Sequence, residues 1–75
     1  MDEEITLEVK RVIIEQRIAI WRNTVFQSDV DFRVAKRIGD TDLMTAAKAS
    51  IVKAEAMIAG YSQELEELMN GQVIE

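Results

Sequence analysis

The 75-residue chain contains no cysteine, no histidine and no proline, and only three glycines and four aromatic residues. Each absence excludes something. Without cysteine there are no disulfides and no thiolate zinc sites, and without histidine a metal site would have to be built from oxygen alone. Conventional nucleophile–base catalysis loses its usual participants for the same reason. The absence of proline removes the strongest helix breaker, so long helices are permitted throughout. The chain also has no apolar run near the ~20 residues that a membrane span requires. The opening segment MDEEITLEVK is acidic where a signal peptide would be basic and then apolar. A soluble cytoplasmic protein is therefore expected.

Size and charge narrow the field further. A chain this short buries only about 60% of its unfolded surface, so its core needs a supplement. Disulfides and common metal sites are already excluded, which leaves oligomerisation. Fourteen acidic against nine basic residues give a net charge of −5. That balance disfavours general affinity for nucleic acid.

What the chain does contain is a helix-forming inventory rich in Ala, Leu, Ile, Glu, Lys, Arg and Gln. The strongest internal punctuation is RIGDTDLM, residues 37 to 44. Gly39 can take the left-handed conformation that ends a helix, and Asp40 or Thr41 can cap the next one. The expected architecture is all-α: one domain, a long antiparallel two-helix hairpin of coiled-coil type. Its parts are helix 1 from about Glu3 to Ile38, a turn at 39–40, helix 2 from about Thr41 to Asn70, and a frayed tail over 71–75, with Asn70-Gly71 closing helix 2. QSDVDF (residues 27–32) offers a three-helix alternative, with a break and a new cap at Ser28.

Periodicity locates the buried rows. In helix 2, Met44, Ala47, Ile51, Ala54, Ile58, Tyr61, Leu65 and Leu68 advance by alternating threes and fours, the spacing of a coiled-coil seam. A second row, Ala49, Val52, Ala56 and Ala59, offers only small side chains; alanine is equally the best exposed helix former. In helix 1 a seam runs Leu7, Arg11, Ile14, Ile18, Trp21, Val25, Ser28, Phe32, Ala35. The expected intra-hairpin core is thus Ile14, Ile18, Trp21, Val25 and Phe32 against Ile51, Ile58, Tyr61, Leu65 and Leu68.

Helix 1 carries more apolar material than one partner can cover. The segment VIIEQRIAIW, residues 12–21, has seven apolar residues in ten, and they fall on two sides of the helix. Charged strips (Glu8, Glu15, Arg22, Asp29, Lys36 on one side; Lys10, Arg17, Thr24, Asp31 on the other) divide the seam from a second face. That face holds Ile5, Val9, Val12, Ile13, Ile20, Phe26, Val30 and Val34, with Gln16 and Asn23 either at its boundary or acting as polar register-setters. A helix apolar on two sides is normally buried on two sides. Assembly into a four-helix bundle or larger homo-oligomer is expected, with a heterologous protein partner as the rival occupant.

Charge has a geometry of its own. In a hairpin turning near residue 40, residue i lies beside roughly residue 80 − i. Glu8, Glu64, Glu66 and Glu67 then gather at the open end, and Arg33, Lys36, Arg37, Lys48 and Lys53 toward the turn. Those five basic residues form a candidate anion-binding patch for RNA or a small nucleotide, although the aromatics that usually accompany RNA readout all fall on apolar rows. The carboxylates of ELEE (residues 64–67) read as a solvated helix end, and DTD (residues 40–42) as a cap. The function expected is that of a non-enzymatic interaction protein, without cofactor, that self-associates and binds another protein as adaptor, inhibitor or assembly factor. In size and style, though over no alignable stretch, the chain resembles small accessory proteins of bacteriophages and other mobile elements; no residue role follows from that.

Overall fold

The computed structural model describes residues 5–74. It consists of two α-helices, α1 (Leu7–Ile38) and α2 (Thr41–Ile74), packed on each other as a hairpin with extents of 56 × 22 × 14 Å. α1 is unbroken through QSDVDF, so the three-helix alternative does not occur.

Both outer helix ends differ from the sequence expectation. α1 begins at Leu7 because Thr6, in extended conformation, is its N-cap: the Thr6 hydroxyl accepts from the Val9 N–H at 3.2 Å, and the Thr6 carbonyl accepts from Lys10 N–H. Glu8 then sits in the first turn, where a negative charge complements the exposed N–H groups. The expected start at Glu3 lies outside the described residues. At the other end, α2 continues through Asn70-Gly71 to Ile74 rather than closing there. Gly39 is the only described residue with positive φ, so Gly71 does not adopt the left-handed stop. A helical glycine costs only about 1 kcal/mol, and no proline follows to forbid continuation.

The turn between the helices is short and fully bonded. Gly39 has φ 75° and ψ 24°, and its N–H donates to the Lys36 carbonyl while Asp40 N–H donates to the Ala35 carbonyl at 2.9 Å. This pair of bonds is a Schellman motif. Asp40 at once caps α2: its Oδ1 accepts from Leu43 N–H at 3.0 Å and its carbonyl accepts from Met44 N–H. Lys36 and Arg37 occupy the last turn of α1, beside its unpaired carbonyls.

Packing follows the alternating rows. On α1, Ile18, Ser28 and Ala35 are buried, with Ile14, Trp21, Val25 and Phe32 half-buried beside them. On α2, Ala47 and Ala54 are buried, and Ile51, Ile58, Tyr61, Leu65 and Leu68 are half-buried. The closest contact is made by small residues: Ala54 is 0% exposed and Ala35 1%. Ser28, which the sequence offered as a break point, is buried here and donates its hydroxyl to Ser50 Oγ at 2.8 Å. That bond satisfies a buried hydroxyl and fixes the register of the two helices in the half of the hairpin nearer the turn.

Such a thin structure has little interior. Among the described residues, no large side chain is fully buried. The radius of gyration is 17.1 Å, against roughly 11 Å for a compact chain of this length. The accessible surface is 5798 Å², about 1,100 Å² above the value typical of a monomeric protein of this mass.

The same substitution should act oppositely at two glycines. An added Cβ meets nothing within 4 Å at Gly39 or at Gly60. At Gly39 the positive φ makes Gly39→Ala destabilising by about 1–2 kcal/mol. Gly60 lies inside α2, where Gly60→Ala should stabilise by about 1 kcal/mol. Urea denaturation of both variants checks the pair of signs.

Candidate interaction surface

α1 presents its second row on the side away from α2. The structure leaves Ile5, Val9, Val12, Ile13, Ile20, Phe26, Val30 and Val34 all exposed, with Ile20 at 55% and Phe26 at 69%. Ile38 and Leu43 are exposed as well and extend the apolar surface across the turn. Ile38 could have been assigned to it from its spacing, since it follows Val34 by one helical step of four. Leu43 carried no such signal, because it belongs to α2 and joins only when the turn brings the helices together. Gln16 and Asn23 are exposed within the α1 row. On α2, Ala49, Val52, Ala56 and Ala59 face solvent.

Two grooves run between the helices. One, of about 360 Å³ near the turn, is lined by Ser28, Asp31, Val34, Ala35, Leu43, Ala46, Ala47 and Ser50. The other, of about 380 Å³ near the open end, is lined by Lys10, Ile13, Ile14, Glu64, Glu67 and Leu68. Val34 and Ile13 therefore belong both to the outer row and to a groove edge. The small residues that let the helices approach closely also make the first groove shallow and apolar.

The charged strips are organised along α1 itself. Arg11 pairs with Glu8 and, at 2.9 Å, with Glu15; Arg33 pairs with Asp29 at 2.9 Å. The hydrogen bond that Arg11 donates to Glu8, and the field of Glu15, hold the Arg11 guanidinium above its ordinary pKa. Exposed pairs of this kind contribute little to stability.

The five basic residues near the turn are all exposed. Arg33 is engaged by Asp29, and Lys48 Nζ lies over the Phe32 ring at 5.8 Å from its centroid. Lys36, Arg37 and Lys53, like the other two, line neither groove. Among the described residues, no group of acidic side chains converges as a metal site would require, and no helix is long and apolar enough to cross a membrane.

Compared with protein-family models, with curated proteins and with solved structures, the chain matches none.

The outer row has a measurable consequence if it is covered in an assembly. Ile13→Asp or Ile20→Asp should weaken the assembly by roughly 100-fold or more, because a symmetric dimer loses two such side chains at ~1.5–3 kcal/mol each. Arg22→Ala, on the neighbouring charged strip, should change it by no more than about threefold. Dilution series followed by analytical ultracentrifugation check the contrast, with helicity by circular dichroism confirming that each variant still folds.

Proposed function

We propose that this protein is a non-enzymatic helical interaction module that self-associates through the outer face of α1 and acts by binding another protein, as an adaptor, inhibitor or assembly factor. The observation that supports it is the row of exposed Ile, Val and Phe side chains along α1, interrupted by Gln16 and Asn23 and lying outside the seam with α2. Scattered exposed apolar residues need no explanation, but a contiguous stripe of them marks an interaction surface. Covering it would supply the burial that the thin hairpin lacks.

A role in holding RNA or an anionic nucleotide at the basic turn end draws less support. Two of its five candidate residues already have local partners, in the Arg33–Asp29 pair and the Lys48–Phe32 contact. Neither of the two grooves is lined by any of the five.

Sedimentation equilibrium at micromolar concentration tests the proposal. The expected result is the mass of a dimer or a larger assembly. A well-folded monomer without affinity for a second protein overturns it.

A further inference from the structure

We infer that the outer face of α1 is covered by a second copy of this chain lying antiparallel to it, with the two-fold axis close to residues 21 and 22. The inference rests on the self-association proposed above and specifies its geometry.

The row itself is self-complementary in that arrangement. One line of exposed residues on the outer face, Val9, Ile13, Gln16, Ile20, Asn23, Gln27, Val30 and Val34, advances by alternating fours and threes. In an antiparallel pair centred on this row, residue i of one copy faces about residue 43 − i of the other. Val9 then meets Val34 of the other copy, Ile13 meets Val30, and Gln16 meets Gln27. Ile20 meets Asn23 of the other copy, one such pair on either side of the axis. The apolar ends of the row thus cover each other, while the amide side chains lie in the middle layers, where the Gln16–Gln27 pairs set the register.

The flanking positions distinguish antiparallel from parallel pairing. In the antiparallel arrangement the flanks pair like with like, which brings Lys10 beside Asp31 of the other copy, twice per dimer. On the opposite flank Phe26, the most exposed large residue of α1, comes to lie over Ala19 of the other copy. A parallel pair places Phe26 beside Asp31 instead and gives Lys10 no acidic neighbour on the facing helix. The ends agree. Antiparallel pairing sets the start of one α1, with Glu8 in its first turn, at the level of the end of the other, with Lys36 and Arg37 in its last turn, whereas parallel pairing sets like charges together.

Area also supports a second copy as occupant. The excess surface of the single hairpin is about 1,100 Å², and a standard stable interface takes only about 800 Å² from each partner.

Charge exchange between Lys10 and Asp31 tests this directly. Along α1 they are separated by about 31 Å, so no contact between them can form within one chain. Lys10→Asp and Asp31→Lys each place like charges together at both sites of the dimer and should weaken self-association about 3- to 10-fold. A 1:1 mixture of the two variants, like the double variant K10D/D31K, should recover to within about twofold of the original chain, because opposite charges again face each other. Lys10 shares a groove with Glu64 and Glu67, so K10D also alters its own subunit; that effect persists in the mixture and cannot produce recovery. Losses that simply add in the double variant, with no gain on mixing, overturn the antiparallel arrangement. If the original chain is itself monomeric at micromolar concentration, the proposed self-association fails, and this inference with it. The centrifuge therefore separates the two failures.

Discussion

The close approach of the two helices over alanine and serine is the constraint from which the rest of the structure follows. Ala35, Ala47 and Ala54 are buried in the seam, and Ser28 and Ser50 meet there through a hydrogen bond. Helices this close share a narrow seam, and the larger seam residues lie along its edges, half-buried rather than enclosed. A hairpin of this kind has a register but hardly a core. Its own seam uses only one side of α1, so the Ile, Val and Phe side chains on the other side stay in water. Exposed apolar area and shortage of interior are thus two aspects of one geometry, and the proposed covering of the outer face would answer both.

The turn makes this geometry specific. One residue, Asp40, accepts from α2 through its side chain and donates its N–H back to α1, so the end of one helix and the start of the next share a single hinge residue. Gly39 supplies the left-handed backbone that allows it. With the turn fixed there, and Ser28 bonded to Ser50 further along, the pairing of residues across the seam has little freedom to slide. The outer row of α1 is then presented along one unbroken helix, the form in which a helical face is matched by another helix.

How much of this was legible in the sequence depended on the range of each signal. The two-helix architecture, the turn and the seam rows rest on spacings of three and four and on one glycine-aspartate step, all of them local. The outer row was visible for the same reason, since Val30, Val34 and their neighbours recur at helical intervals. The helix ends were less legible. Thr6 lacks the glutamate three residues on that would announce a capping box, and the acidic residues before it look like an earlier first turn. Asn70-Gly71 resembles a stop, yet glycine permits a stop without enforcing one. Ser28 was ambiguous because what decides its role is Ser50, 22 residues away. Leu43 joins the apolar surface only through the turn, and no periodicity within α1 can reveal it.

The central claim is that the single hairpin is completed by covering the outer face of α1, so that folding and association are linked. The most direct measurement is the thermal unfolding midpoint of the original chain over a hundredfold range of protein concentration. Linkage predicts a midpoint that climbs steadily with concentration, since mass action favours the assembled folded state. A cooperative transition whose midpoint does not move over that range would show that the hairpin is stable alone, and would contradict the account.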